Sequence, residues 1–388
     1  SAKQAIRKAN RMLTFIAGIA MMRPLVIAHY MPWYQSKTIG GSWGWHWTMN
    51  HFNPDQKGLD GSRQLASKYH PTIGPYDSSD PDCLECQTLQ MKIAGIDGVL
   101  IDWYGTKDLY DYPALNRNTG KMIGACTRAG LKFAIVLEDQ IVPVLVKAGK
   151  STPEEYAKSA LAWLDKEWFH LPGYLKWKHE PVLLIFGPQY YKEADLKANF
   201  GNGVALFTEL GRQGPAVGAF GWPEPQVGHE QSWTKLREFY ERSKDWSASI
   251  PVVYPRFEDV YKEAGVSPGY GEIRDDEGKT FERSLKLAEE SGASFLQIAT
   301  WNDWGEGTQI EPSQEFGYRD LERLQTDRRA SDPGFPFRAS DLRLPERIYR
   351  LRKAGFASKT LDQAVQALLD GHPVRAAKLV DDMRPGHG

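Results

Sequence analysis

Short apolar runs recur along the chain, and segments with helical periodicity separate most of them. The runs have the composition of strands that are buried on both faces of a parallel sheet. They are PLVIAHY (24–30), GVLIDWY (98–104), KFAIVLE (132–138), PVLLIFG (181–187), AVGAFGW (216–222), PVVYPRF (251–257) and SFLQIAT (294–300). The run GVALF (203–207) is a candidate eighth strand.

The segments between these runs are predicted to be helices, and most end in or near a Gly or a polar stop. They are residues 83–95, 118–130, 153–168, 231–245 and 280–292. This alternation predicts βα units with right-handed crossovers, and hence an α/β fold of the (β/α)8 TIM barrel class. A doubly wound sheet is the competing topology, but no G-x-G-x-x-G motif follows the first strand.

Three parts of the chain are predicted: a basic and apolar N-terminal segment (1–23), the catalytic barrel (24–343) and C-terminal helices (344–388). Basic residues before the apolar run 12–22 resemble a secretory signal, and a docked amphipathic helix is the alternative. An extracytoplasmic location, periplasmic or secreted, is therefore favoured over a cytoplasmic one. The run is too short to span a bilayer, so no integral membrane segment is predicted.

Composition narrows the possible partners. The 388 residues carry a net charge of −1, which gives no field for holding a phosphate backbone, so nucleic acid is not expected. The 13 Trp residues suit the faces of sugars, but Trp also fills cores.

Cys83 and Cys86 have no second CxxC or CxxH, so with Cys126 they predict one local disulfide or buried thiols. The nine His show no H-E-x-x-H spacing, and no metal or cofactor is predicted.

Catalytic groups of a barrel come from the C-terminal ends of its strands and the loops that follow. Carboxylates and aromatic residues occur at nearly every predicted strand end, where an unpaired buried charge is costly unless it is functional. The first βα loop (34–82) is also long, which is typical of a functional loop. Asp102 has a structural interpretation as plausible as a functional one. Asp77 is predicted to be a turn or cap residue, and Glu311 to anchor its loop.

The stretch TWNDWGEGTQIEP (300–312) places two carboxylates three residues apart in a Gly-containing loop. Helix or turn capping could explain Asp303 or Glu306 but not comfortably both. Cleavage of a glycosidic bond needs one protonated acid and one ionised partner, and the neighbouring indoles can desolvate a carboxyl or bind a sugar face. The sequence therefore predicts a catalytic pair here.

Most of residues 24–320 resembles glycoside hydrolase family 99 and its relatives. The resemblance depends on HYMPWY, the HW of the first loop, GPYDSSDP, AGIDGVLIDWYG, Glu138, VYPRFED and WNDWGEGTQIEP, which occur in the expected order. It implies a (β/α)8 barrel that acts on α-mannosides or mannans, endo-acting and retaining. In this family one carboxylate deprotonates the sugar 2-hydroxyl, which attacks the anomeric carbon to give a 1,2-anhydro sugar. The second carboxyl protonates the leaving oxygen and then activates water.

Carried over residue by residue, the resemblance implies that Asp303 is the base and Glu306 the acid/base, with an oligo- or polysaccharide as substrate. The substrate-binding residues predicted from the motifs and strand ends are Asn302, Glu138, Trp103, Tyr30, Trp33, His46, Trp47, Trp222, Tyr254, Trp301 and Trp304.

The chain departs from the family pattern because Asp303 stands where Glu is usual. Asp is shorter by about 1.5 Å, one carbon–carbon bond. Asp303 could instead act as a base toward water in an inverting enzyme, where the carboxyl groups stand about 6.5–9.5 Å apart. A glycan-binding barrel without activity and a glycosyltransferase are the alternative functions, although no basic Gly-rich loop offers a phosphate site.

Overall fold

The computed structural model describes residues 23–356 and 358–383, in which eight parallel strands close into a barrel. The strands are β1 (Leu25–Tyr30), β2 (Gly98–Trp103), β3 (Lys132–Leu137), β4 (Glu180–Ile185), β5 (Ala205–Glu209), β6 (Gly218–Phe220), β7 (Ala248–Ile250, continued as Val252–Val253) and β8 (Phe295–Ile298). Each strand pairs with the next, and β8 also pairs with β1. The predicted TIM barrel is confirmed, and the candidate strand in GVALF corresponds to β5.

The strands form where the apolar runs allow burial on both faces. Strand β2 is buried along its whole length, and β3 is exposed only at its first residue. Strand β6 is short and begins at Gly218, where a Cβ atom would overlap the carbonyl oxygen of Ala248 on β7. Glycine at this position therefore lets β6 and β7 approach closely.

Helices surround the barrel and cover the strands. They are α1 (Lys37–Gly40), α2 (Trp45–Thr48), α3 (Pro81–Ala94), α4 (Tyr112–Ala129), α5 (Val142–Lys147), α6 (Pro153–Glu167), α7 (Glu193–Phe200), α8 (His229–Ser243), α9 (Lys279–Glu290) and α10 (Arg319–Ser331). Helix α3 begins where the Asp80 side chain accepts from the backbone N–H of Asp82, with Pro81 at the first position, and ends at left-handed Gly95. These start and stop signals place helices where the sequence predicts them.

Shorter elements decorate the loops. Two-residue strands lie at Lys176–Trp177, Phe257–Glu258 and Glu272–Ile273, and single 3-10 turns lie at Pro225–Val227, Asp276–Gly278 and Ala339–Arg343. Phe257–Glu258 and Glu272–Ile273 pair as an antiparallel hairpin between β7 and α9. This insertion and the long loop after β1 both rise above the C-terminal ends of the strands.

The C-terminal helices are present as predicted: α11 (Leu344–Lys353), α12 (Ser358–Leu369) and α13 (Pro373–Asp381). Helix α11 is tied to barrel helix α3 by Arg352, which donates to Glu85 at 2.8 Å. Lys353 donates to Asp82 at 2.8 Å in the same contact. The appendage therefore packs on the outside of the barrel, against helix α3.

The predicted N-terminal segment lies outside the described residues except for Arg23. Arg23 forms an ion pair with Asp97 at the start of β2. No helix in the described ranges is long and apolar enough to cross a membrane. Of the two alternatives for the cysteines, the structure has the thiols: Cys83, Cys86 and Cys126 are free and buried.

Candidate active site

A cleft of about 620 Å³ opens at the C-terminal ends of the barrel strands. Its lining combines aromatic rings with carboxyl groups, as expected for the functional end of such a barrel. The residues include His29, Met31, Trp33, Trp45, His46, Tyr104, Glu138, Gln140, Phe186, Gln189, Glu209, Trp222, Glu224, Tyr261, Tyr270, Asp303 and Glu306. A cavity of similar size at the opposite end of β7 and β8 lies far from these groups.

The predicted pair lies together on the loop that follows β8. The backbone N–H of Asp303 donates to the Thr300 hydroxyl at 2.7 Å, and the backbone N–H of Glu306 donates to Oδ1 of Asp303 at 3.2 Å. Tyr261, from the hairpin insertion, donates to Oε1 of Glu306 at 3.3 Å. Asp303 therefore caps its own turn while both carboxyl groups line the cleft.

Burial raises the pKa of both carboxyl groups. Burial raises the pKa of Asp303 to about 7, and the backbone N–H groups of Glu306 and Gly305 partly offset that effect. Burial and then the nearby charge of Asp303 raise the pKa of Glu306 well above its ordinary value. At neutral pH Asp303 is thus the member that ionises and Glu306 the one that keeps its proton, which is the division of roles that an acid and base pair needs.

A buried network behind the loop fixes its position. Glu311 accepts hydrogen bonds from Gln87 and Tyr76, both at 2.7 Å, and from the Trp304 indole at 3.1 Å. Asn302 accepts from the backbone N–H of Met31 at 2.8 Å and donates to the Met31 carbonyl at 3.0 Å. The loop is therefore anchored both to helix α3 and to the end of β1, and Glu311 has the anchoring role predicted for it.

Replacing Glu311 with Ala is expected to destabilise the fold by about 3 kcal/mol, because three buried donors lose their acceptor. Urea denaturation would measure the change, with Glu180→Ala as the control because Glu180 is exposed at the other end of the barrel. A loss of less than about 1 kcal/mol would contradict this structural role for Glu311.

A second carboxyl pair, Asp102 and Glu138, lies at the ends of β2 and β3. Burial raises the pKa of Asp102 to about 8, and burial followed by the charge of Asp102 raises that of Glu138 well above its ordinary value. The charge of Asp102 acts on Glu138, but neither carboxyl oxygen of Asp102 has a hydrogen-bond partner in the described part of the protein. Gln140 donates to Glu138 at 2.7 Å. Within the described residues, no group of three His, Cys, Asp or Glu side chains could hold a metal ion.

Six of the predicted site residues line the cleft: Asp303, Glu306, Glu138, Trp33, His46 and Trp222. The rings of Trp33 and His46 stack with centroids 4.0 Å apart and planes inclined by 6°. Burial lowers the pKa of His46 to about 3, so its ring is neutral. Trp222 lies across the cleft, edge-on to His29 at 4.8 Å.

Trp103 and Tyr30, both predicted to bind substrate, do not line the cleft. Side chains alternate along a strand, so Asp102 points inward and Trp103 points outward. The Trp103 indole donates to Asn116 at 2.9 Å, and the Tyr30 hydroxyl donates to Gln87 at 2.8 Å, both on surrounding helices.

Five more predicted residues are buried away from the cleft: Asn302, Trp47, Tyr254, Trp301 and Trp304. Asn302 uses its amide on the Met31 backbone. Trp47 donates to the Tyr76 carbonyl at 2.8 Å, and Tyr254 stacks on Trp233 outside the barrel. Trp301 and Trp304 pack behind the loop that carries the acids, so they bury the loop and do not present a face to a ligand.

Several cleft residues were not among the predicted site residues. Tyr104 and Trp45 both reach the cleft. Tyr104 follows Trp103 in the sequence, and strand alternation turns its ring inward. Trp45 precedes His46, and the local turn geometry turns its ring inward. Tyr261 lies in the insertion after β7, and the length of this insertion is the sequence feature that could have indicated a functional loop. Glu209 ends β5, a strand whose end the sequence did not define, and His29 belongs to the HYMPWY motif at the end of β1.

The raised pKa of Asp303 has a consequence for stability. Its folded value of about 7 lies above the ordinary value of 3.8, so the unfolded chain releases this proton first as pH rises. The contribution of Asp303 is therefore favourable below the unfolded pKa and is lost between the two values. We expect Asp303→Asn to be more stable than wild type at about pH 8, with the difference shrinking toward about pH 4. Urea denaturation at both pH values would test this, with the exposed Asp165→Asn on α6 as control; equal stability at the higher pH would contradict it.

Several known proteins are similar to this chain in sequence or in fold. No family model matches the chain. A glycoprotein endo-alpha-1,2-mannosidase of Rattus norvegicus is 24% identical over 330 residues, covering 74% of this chain and 67% of that protein. A glycoprotein endo-alpha-1,2-mannosidase-like protein of Danio rerio is 23% identical, with 73% and 69% covered.

Solved structures with the same fold include a GH99 endo-alpha-mannosidase of Bacteroides thetaiotaomicron in complex with bis-tris propane. It superposes with a TM-score of 0.60 at 20% identity and covers 79% of this chain and 97% of that one. A structure described as a glycoside hydrolase-like protein superposes with a TM-score of 0.53 at 14% identity, with 79% and 94% covered. The resemblance to glycoside hydrolase family 99 and its relatives is confirmed, as is the prediction of an enzyme of the glycoside hydrolase class.

Proposed function

From this similarity to glycoside hydrolase family 99, we propose that the protein cleaves an α-linked, mannan- or mannoside-like glycan at internal positions and with retention of configuration. The observation that carries the proposal is the pair Asp303 and Glu306. These two buried carboxyl groups lie three residues apart on one anchored loop, have different proton affinities and face an aromatic-walled cleft. The names of the relatives support the α-mannoside as the substrate class.

In the first step, ionised Asp303 takes the proton of the 2-hydroxyl. The freed oxygen attacks the anomeric carbon, the glycosidic bond breaks, and Glu306 gives its proton to the departing oxygen. The product is a 1,2-anhydro sugar, with Asp303 protonated and Glu306 ionised. The loop supports this step because it carries both carboxyl groups three residues apart and holds them at one side of the cleft.

In the second step, ionised Glu306 takes a proton from water, and the water oxygen attacks the anomeric carbon. The bond between that carbon and the 2-oxygen breaks, and the 2-oxygen recovers its proton from Asp303. Both carboxyl groups then return to their starting states. Two displacements at the same carbon give net retention.

The shorter side chain of Asp303 fits this role if its loop brings the backbone closer to the substrate. The contact of Asn302 with Met31 holds the loop at the end of β1, and that of Glu311 with Gln87 holds it against helix α3. The alternative is that Asp303 activates water directly, which would invert the configuration.

Hydrolysis of a panel of α-linked mannans, glucans and mixed glycans by the wild-type protein would test the function. We expect new reducing ends from an α-mannoside and not from β-linked controls. Failure to hydrolyse any member, together with measurable binding of one of them, would assign the protein to the glycan-binding alternative. Transfer from a nucleotide sugar without hydrolysis would assign it to the glycosyltransferase alternative.

A further inference from the structure

One wall of the cleft offers hydrogen-bond acceptors that the reaction above does not use. It consists of His29 at the end of β1, Glu209 at the end of β5 and Glu224 beyond β6, and is called the acceptor wall below. The ring of Trp222 lies within it, edge-on to the His29 imidazole at 4.8 Å. The charge of Glu209 acts on Glu306, so the wall lies beside the proposed acid.

The tautomer of His29 follows from its neighbours. The side-chain amide of Gln297 donates to the Gly221 carbonyl, which can only accept, so the Gln297 oxygen faces His29. Nδ1 of His29 lies 3.4 Å from that oxygen and must therefore carry the proton. Nε2 therefore carries no proton, and its lone pair can accept a hydrogen bond.

That lone pair is buried and has no partner. His29 is 0% exposed, and Nε2 has no hydrogen-bond partner in the described part of the protein. Burial lowers the pKa of His29 to about 4, and the bond to Gln297 only partly offsets this, so the ring does not gain a second proton at neutral pH. An unpaired acceptor at this depth in a cleft calls for a donor from a ligand.

Glu209 and Glu224 are unpaired as well. No side chain in the described residues donates a hydrogen bond to either carboxyl. Burial, and then the charge of Glu224, raises the pKa of Glu209 to about 7. Burial raises the pKa of Glu224, and the charges of Lys235 and Arg242 partly offset that effect. Each of these cations has another partner: Lys235 pairs with Glu238 at 2.9 Å, and Arg242 donates to the Leu210 carbonyl at 2.9 Å.

No Lys or Arg is found among the described residues that line the cleft. Two partly buried carboxyl groups, a bare imidazole nitrogen and an indole therefore line one cleft, and no Lys or Arg side chain in the described residues lines it with them. An ammonium group satisfies such a set best, since it brings three donors, a charge for the carboxylates and a cation for the ring face.

We propose that the acceptor wall is a subsite for a protonated amine, so that the glycan cleaved here contains an amino sugar with a free amine. The proposal rests on the proposed function, because it assumes that the cleft takes a glycan. The sugar attacked at Asp303 must keep its 2-hydroxyl, so the amine belongs to a neighbouring sugar on the side of Glu306. A carboxylated, sulfated or phosphorylated sugar would meet repulsion at the same place.

The subsite can be tested by measuring the affinities of glucosamine, N-acetylglucosamine and glucose at neutral pH. Ligand-observed NMR would give these affinities. We expect glucosamine to bind about tenfold or more tightly than the two neutral sugars, which is about 1.4 kcal/mol. The double variant Glu209→Gln/Glu224→Gln should lose this preference, and Glu180→Gln at the other end of the barrel should keep it. Imidazole nitrogen NMR should independently find His29 protonated on Nδ1 alone.

Equal affinity for glucosamine and glucose, no detectable binding of glucosamine, or a preference that survives the double variant would overturn the proposal. The measurement needs no turnover, so it is independent of the proposed reaction. Hydrolysis of neutral mannans without a preference for glucosamine would reject the amine subsite alone. A preference for glucosamine without hydrolysis of any glycan would reject the proposed reaction alone.

Discussion

Asp303→Asn is expected to lower turnover by about a thousandfold or more on every substrate that wild type cleaves, whatever its leaving group. Asn keeps the shape and the contact with the Glu306 backbone N–H, but it cannot take a proton from the 2-hydroxyl. Steady-state rates on a mannan and on an aryl α-mannoside with a good leaving group would measure the effect. We expect turnover to be lost on both substrates, because Asp303 generates the attacking 2-oxygen whatever the leaving group is.

The control for this variant is Asp165→Asn, which removes an exposed carboxyl from helix α6 and should leave turnover unchanged. Folding of Asp303→Asn can be verified by its predicted gain in stability at about pH 8. A folded Asp303→Asn protein with rates within about tenfold of wild type would remove Asp303 from the chemistry.

Glu306→Gln is expected to lower turnover of natural glycans by about a hundredfold to ten-thousandfold, the range for a lost general acid. Unlike Asp303→Asn, it should still release a good aryl leaving group in a first-turnover burst, because such a group departs without a proton. Its second step should remain slow, since no base activates water. Rapid-quench measurement of the burst, next to steady-state rates, separates the two steps.

Glu180→Gln is the matched control for Glu306→Gln, because Glu180 begins β4 at the opposite end of the barrel. The same loss on glycans and on the activated aryl glycoside, with no burst, would contradict the role of Glu306 as acid. It would favour a structural role through its contact with Tyr261.

The difference in proton affinity also predicts the pH dependence of catalysis. Activity requires ionised Asp303, whose pKa is raised to about 7 by burial, and protonated Glu306, whose pKa burial and the charge of Asp303 raise well above its ordinary value. The ratio kcat/KM should therefore rise through about pH 7 and fall at higher pH. A profile with its maximum at about pH 4 would contradict the assignment, because Asp303 would be protonated there.

The fold could be predicted because burial leaves a strong periodic signal in the sequence. Strands β2 and β3 are continuous apolar runs, and helix α3 has a cap at Asp80 and a glycine stop at Gly95. Strand β6 is only three residues long and depends on the Gly218 contact with Ala248, so its predicted length was wrong. Local signals cannot define an element whose length is decided by how closely its neighbour approaches.

The site was predictable in part, for a related reason. Asp303 and Glu306 are close in sequence and sit on one loop, so their spacing carried the information. The direction of each aromatic ring depends instead on strand alternation and on which neighbour fills the core. Trp103 therefore faces a helix while Tyr104 faces the cleft, and Trp47 is buried beneath His46.

Asn302 illustrates a limit of motif reasoning. Its position beside Asp303 suggested a contact with substrate, but its amide is used to hold the Met31 backbone at the end of β1. The unpaired Nε2 of His29 could not be anticipated, because it depends on the orientation of Gln297 from a strand 268 positions away in the sequence.

Proton NMR of the anomers released from an α-mannan during the first turnovers of wild type, Asp303→Asn and Glu306→Gln tests the central claim most directly. The account predicts that wild type releases the α-anomer before mutarotation and that both variants release almost none. Turnover that survives in both variants would contradict the assignment of the catalytic pair, and release of the β-anomer by wild type would contradict the route through the 2-hydroxyl.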